Sequence, residues 1–204
     1  MRSLKILFFL FLSVVSCNKA AEKKESISIN KKEYTDFHKE AEVFCKREKL
    51  NSDYYFLIDM SLHSGKNRFF VYDFRTKKII AQNLVTHGSC DVLSVNITKL
   101  QKAKFSNAND SHCSSLGKYK IGKRDSSAWG IKIKYWLEGL EATNKNAENR
   151  VVVLHSWSAV SNNEIYPEYA PLSWGCPAVS DDFMKVLDKK LRPTQKPVLL
   201  WIIQ

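Results

Sequence analysis

Short apolar segments broken by turns recur through most of this chain, and they constrain the fold more than any other feature. Residues 54–59, 68–74, 79–86, 116–121, 129–137, 150–155 and 197–203 are strand-length runs rich in β-branched and aromatic residues. Turn-forming stretches, such as Ser64-Gly65-Lys66-Asn67, separate several of them. Two segments instead carry a helical period. In residues 33–49, Tyr34, Phe37, Ala41, Phe44 and Cys45 share one face. Residues 181–191 open on Asp181 and Asp182 and close on Lys189 and Lys190, which suits the helix dipole. Strands and helices do not alternate as in βαβ units, and two helices do not make a bundle. The expected architecture is a mainly β domain with peripheral helices. A chain of 204 residues has room for one such domain, residues 33–204, plus a short leader.

The first 32 residues read differently. Arg2 and Lys5 form a short positive region, and residues 6–15 are an apolar run of signal-peptide length, too short to span a bilayer. The run ends in Val14-Val15-Ser16-Cys17, and the composition then turns polar at once. This resembles the lipobox of bacterial lipoproteins, which implies a signal peptide over 1–16 and a lipid on Cys17. Residues 17–32, rich in Lys, Glu and Ser, read as a flexible tether. The expectation is an exported protein of the bacterial envelope, held to the membrane by its lipid. The formal charge is +11. The basic residues are scattered, with no long block and no nucleic-acid motif, so they read as a solvated surface and not as a nucleic-acid site.

Chemistry concentrates near the C-terminal third. A branched run, Val151 to Leu154, ends at His155, and Ser173-Trp174-Gly175-Cys176-Pro177 follows after a loop. A thiol becomes a nucleophile when a histidine takes its proton. A histidine at a strand end has a rigid mount. Gly175 allows close approach of backbone or substrate, and Pro177 stiffens the turn and biases Cys176 toward an extended conformation. Backbone N–H groups of Gly175 and Cys176 would form an oxyanion hole. Spacing alone favours the plainer reading, a buried cysteine and a satisfied strand-end histidine.

The wider pattern resembles the catalytic signature of L,D-transpeptidases of the YkuD type. It has His155-Ser156, then a variable loop, then Ser173-Trp174-Gly175-Cys176. The string Ser173-Trp174-Gly175-Cys176-Pro177-Ala178-Val179 is similar to the murein L,D-transpeptidase catalytic domain branch. Ile58-Asp59, Phe69 to Asp73, Thr86-His87-Gly88, Lys104 to Asn107 and Ser114 to Gly117 extend the resemblance to the C-terminal three quarters of the chain. It implies a YkuD-like fold and a cysteine acyltransferase acting on peptidoglycan stem peptides. Cys176 would be the nucleophile, His155 the base, and the Ser156 carbonyl the group that orients His155. His87, Ser173, Trp174 and Gly175 would bind substrate. The resemblance implies no metal or cofactor, and a monomer is expected. Two positions depart from the wider family: Trp174 stands where a histidine is usual, and Pro177-Ala178 where an Arg or Asn is typical.

Other readings stay open. The same Cys/His pair serves an L,D-carboxypeptidase, and an enzyme-like fold can serve a non-catalytic wall-binding lipoprotein. His87, Cys90, His112 and Cys113 form an N/S set that zinc can use, without a recognised closed-site spacing. With Cys176 free and Cys17 lipidated, at most one internal disulfide remains; Cys90 with Cys113 is the expected pair, since both lie in loop-like sequence. Cys45 reads as a buried structural thiol. His38 and His63 read as solvated. Trp157, Tyr166, Tyr169 and Trp174 read equally as core packing or as a wall for substrate.

Overall fold

The structure, a computed structural model, describes residues 34–90 and 102–204. The expected leader, tether and lipidated Cys17 lie outside the described residues. Helix α1 (Thr35–Arg47) leads into β1 (Tyr54–Asp59), β2 (Phe69–Asp73) and β3 (Lys78–Asn83). After the loop come β4 (Gly117–Ser126), β5 (Ile133–Gly139), β6 (Val153–Ser156), β7 (Ala178–Val179), α2 (Asp181–Leu191) and β8 (Val198–Ile203). Among the described residues these strands form one mixed sheet of order β3-β2-β1-β8-β4-β5-β6-β7. The β1–β8 and β6–β7 pairs are parallel and the rest antiparallel. The architecture is mainly β with peripheral helices, as expected.

The central strands are apolar on both faces because both faces are covered. All residues of β1 and β8 are buried. On one face Phe56, Phe69, Tyr119, Leu137 and Leu154 pack with Phe183, Met184 and Leu187 of α2. On the other, Tyr55, Phe70, Tyr72, Leu199 and Trp201 pack with Ala41 and Cys45 of α1. Cys45 is fully buried, and burial pushes its thiol up to about 12. Lys118 pins α1 from the sheet: its ammonium reaches Glu40 at 2.7 Å and lies 3.9 Å from the centre of the Trp201 ring. The Ser180 hydroxyl caps α2 by accepting from the Phe183 N–H at 3.3 Å.

The sheet curls until its edges meet. Beyond β3, Thr86 donates its N–H to the Ala178 carbonyl of β7 at 2.9 Å, and Ala178 returns an N–H to the Thr86 hydroxyl at 3.0 Å. The last strand before the first long loop is thereby carried to the strand that follows Cys176.

Several boundaries differ from expectation for local reasons. The strand expected over 129–137 starts at Ile133, because Ser127 to Lys132 closes a turn in which Gly130 has φ +50°. The strand expected from 150 starts at Val153. Val151 is instead 51% exposed with φ +55°, and turn hydrogen bonds run from Val151 to Glu148 and from Val152 to Ala147. The stretch 138–149 is not wholly surface: Asn144 and Ala147 are fully buried, and the Asn144 side-chain amide donates to the Lys118 carbonyl at 2.9 Å. The two-residue β7 is too short to show a period. His38 and His63 are not free in solvent. His38 stacks on Tyr72 and bonds the Tyr55 hydroxyl at 2.7 Å, and burial first, then the charge of Lys77, holds it down at about 4. His63 accepts from the Gly65 N–H and packs on Tyr169.

Candidate active site

Strand β6 carries two kinds of residue. Val152, just before it, and Leu154 point into the core, so Val153 and His155 lie on the opposite side. His155 faces Lys134 across the antiparallel β5 and Ala178 across the parallel β7. His155 is 9% exposed, and its Nδ1 lies 3.0 Å from the Ser156 carbonyl oxygen. A carbonyl only accepts, so Nδ1 carries the hydrogen and Nε2 keeps its lone pair. Burial lowers the imidazole pKa, the Ser156 carbonyl opposes that, and Lys134 adds to the lowering. A neutral base tautomer results. The buried Ser156 also holds the Ser127–Lys132 turn, its hydroxyl accepting from the Ile131 N–H at 3.0 Å.

Cys176 precedes β7 and docks on the backbone of the β6 segment. Its sulfur accepts the Val153 N–H at 3.4 Å and donates to the Val151 carbonyl at 3.6 Å. Burial pushes the thiol pKa up; the Val153 N–H and the charges of Arg150 and Lys134 pull it back. Thiol and imidazole therefore sit on adjoining segments as neutral groups, each bonded to backbone and not to the other.

Hydroxyls hold the turn that presents Cys176. The Ser173 Oγ accepts from the Gly175 N–H at 3.2 Å and donates to the Cys176 carbonyl at 2.7 Å. The Thr86 Oγ1 donates to the same carbonyl at 3.2 Å. The Gly175 N–H is thus engaged within the turn. Among the described residues the Cys176 N–H makes no hydrogen bond, so of the two amides expected to form an oxyanion hole it is the one left to donate. Gly175 has φ +100°, and a Cβ there would stand 2.6 Å from the Cys113 carbonyl oxygen. Only glycine suits that conformation and that contact.

The loop that presses on Gly175 is itself braced. Cys90 and Cys113 form a disulfide, the expected pair, which takes both sulfurs of the alternative zinc set. Among the described residues no group of three or more His, Cys, Asp or Glu is placed to hold a metal. Ser114 Oγ donates to the Gly175 carbonyl and accepts the Gly88 N–H. Arg150 donates to the Ser106 carbonyl at 2.9 Å, the Ser115 hydroxyl at 2.7 Å, the Ser111 hydroxyl at 3.3 Å and the Cys113 carbonyl. Arg150, Thr86 and Ser114 were missed as site residues. Thr86 and Ser114 lay in the resembling motifs, while Arg150 had no local signal.

His87 occupies a different place from the expected cleft lining. The residue is 3% exposed, and its Nδ1 accepts from the buried Arg68 guanidinium at 2.9 Å. Burial, then the charge of Arg68, hold it down at about 3. It meets the nucleophile turn through backbone: its carbonyl accepts the Ser173 N–H at 2.9 Å. Trp174 is 78% exposed, its ring 5.1 Å from that of His112. Trp157 packs on Trp129, while Tyr166 and Tyr169 pack on His63.

The L,D-transpeptidase catalytic domain model matches residues 27–200, well over half of the chain. The chain belongs to this family. Solved structures similar to this L,D-transpeptidase domain include an L,D-transpeptidase of Xylanimonas cellulosilytica, 10% identical, covering 73% of this chain and 59% of that one, with a TM-score of 0.43. Bd1075 of Bdellovibrio bacteriovorus is 16% identical, covering 76% and 49%, with a TM-score of 0.45. The helical cell shape determining protein Pgp2 of Campylobacter jejuni is 11% identical, covering 79% and 54%, with a TM-score of 0.41. The chain spans about half the length of these structures. No curated protein matches it at a significant level.

Proposed function

We propose that this domain is a cysteine acyltransferase that acts on peptidoglycan stem peptides through a Cys176 thioester. The observation that carries the reading is the fixed tautomer of His155, with Nε2 free beside the segment that docks Cys176, in a chain of this family. The raised thiol and lowered imidazole argue against a standing ion pair, so the proton moves as attack occurs. The thiol first turns from the Val151 carbonyl toward His155. Sγ then bonds to the carbonyl carbon of the stem's diamino acid, the one in amide linkage to the terminal D-alanine, and the thiol proton passes to His155 Nε2. The Cys176 N–H receives the developing oxyanion. The C–N bond breaks, and His155 returns the proton to the departing D-alanine nitrogen. An acceptor amine next attacks the thioester, loses its proton to His155, and the thiolate leaves and is reprotonated. Cys17 and residues 1–16 complete the proposal as lipid anchor and signal peptide, placing the domain, residues 33–204, in the bacterial envelope.

The test is product analysis with a tetrapeptide stem, with and without an amine acceptor. Transfer yields D-alanine and a new amide that appears only with the amine. Free tripeptide alone in both reactions replaces transfer with the carboxypeptidase reading, and no release of D-alanine in either sinks both.

A further inference from the structure

Two cations act on the thiol, Arg150 and Lys134. Arg150 is committed: its donors serve four acceptors of the loop over Gly175. Lys134 is different. It is the direct cross-strand partner of His155, and directly opposed side chains stand on one side of the sheet about 5 Å apart at Cβ. Among the described residues its ammonium rests only over the Trp136 ring, 5.0 Å from the centroid. Asp125 faces it from β4 and feels its charge, yet the hydrogen bonds of that carboxylate come from the Trp136 indole N–H at 3.1 Å and the Ser126 N–H at 2.8 Å, with no ion-pair contact to Lys134. A half-buried lysine that, among the described residues, makes no hydrogen bond and no ion pair thus stands beside the base and the nucleophile. The residues after the cysteine, Pro177-Ala178, offer no side-chain donor.

Resting on the acyl-transfer reading above, we propose that Lys134 binds the free carboxylate of the residue that leaves, and so restricts the enzyme to stems whose scissile bond is the last one. The chemistry requires short reach. The carboxylate of a terminal D-alanine is one carbon from the scissile nitrogen, so a group that binds it must stand beside the Cys/His pair. Of the two described cations that act on the thiol, Lys134 is the one not already engaged in hydrogen bonds. A stem extended by a further residue, or amidated at its end, presents no charge at that point. Its neutral amide leaves the ammonium desolvated and unpaired, which penalises the wrong substrate.

The experiment compares two stem tetrapeptides that differ only in ending as carboxylate or carboxamide. Wild type, Lys134→Met and Lys134→Arg are assayed for release of D-alanine or D-alaninamide. Wild type prefers the carboxylate by about 10- to 100-fold in kcat/KM, the range of a charge-assisted hydrogen bond. Lys134→Met loses that preference, read as the ratio of the two kcat/KM values within each protein, and Lys134→Arg recovers it. A Met variant that keeps the preference, or that loses both substrates equally with unchanged circular dichroism, overturns the proposal. A second arm does not depend on turnover: both peptides are titrated into Cys176→Ser protein with and without Lys134→Met. If wild type processes neither peptide the acyl-transfer reading fails, yet a carboxylate preference in binding that Lys134→Met removes still assigns the site. Equal binding of the two peptides overturns it.

Discussion

Gly175→Ala places one methyl group where the structure leaves no room for it. The Cβ would meet the Cys113 carbonyl oxygen at 2.6 Å, the Cys113 carbonyl carbon at 3.2 Å and the Arg150 guanidinium at 3.3 Å. The two nearest are backbone atoms. They cannot retreat freely, since Arg150 donates to that carbonyl and Cys113 is bonded to Cys90. The φ of +100° adds strain of about 1–3 kcal/mol for a residue with a Cβ. Overpacking adds about 1–3 kcal/mol if the turn stays where it is. If the turn moves instead, Cys176 moves with it, and about 1 Å of misplacement costs roughly 100-fold in rate. Stability and rate are therefore alternatives, and one of them must fall. Urea denaturation of the variant measures the first, and the rate of acyl-enzyme formation with a stem peptide, followed by intact mass, measures the second. Expected is a loss of about 2–6 kcal/mol, or a rate at least about 10-fold lower, or a share of each. A variant with the parent denaturation midpoint and the parent acylation rate refutes the reasoning.

Arg150→Met removes four donors from the loop over the nucleophile turn and leaves the Ser106 and Cys113 carbonyls short of a partner. It is expected to cost at least about 2–3 kcal/mol in urea denaturation and to slow acylation, whereas an exposed-site result near zero contradicts the brace. Cys113→Ser opens the loop of sequence separation 23 and is expected to lower stability by about 3 kcal/mol, read in the same assay. Alkylation of Cys176 and acyl transfer are expected to differ in pH dependence. Iodoacetamide needs thiolate, so its rate rises toward a midpoint above the usual thiol value, which burial has raised. Transfer needs neutral His155, so its kcat/KM is flat at neutral pH and falls only as pH drops through a midpoint below 6.5. A transfer limb centred above 6.5, or alkylation complete well below the usual thiol pKa, would point to a standing ion pair instead.

The architecture was legible because most strands are apolar on both faces, and α2 announced itself by its acidic start and basic end. What was not legible depended on contacts distant in sequence. Val151 looked like strand by composition, yet turn hydrogen bonds to Glu148 and Ala147 set its φ at +55°. Arg150 sat in a polar stretch with no motif, and its role follows from four partners between Ser106 and Ser115. His87 fell in a recognisable His-Gly pair, but only the fold shows that its ring faces Arg68 while its carbonyl faces Ser173. Lys134 became visible through register: it is an ordinary strand lysine until β5 and β6 align it with His155.

The central claim is that Cys176 carries the acyl group, and peptide mapping by mass spectrometry tests it most directly. After incubation with a tetrapeptide stem and rapid acid quench, the account predicts one adduct, the stem less D-alanine, on the peptide containing Cys176. The Cys176→Ala protein must lack it. An adduct on any other residue, or one that persists in Cys176→Ala, contradicts the account.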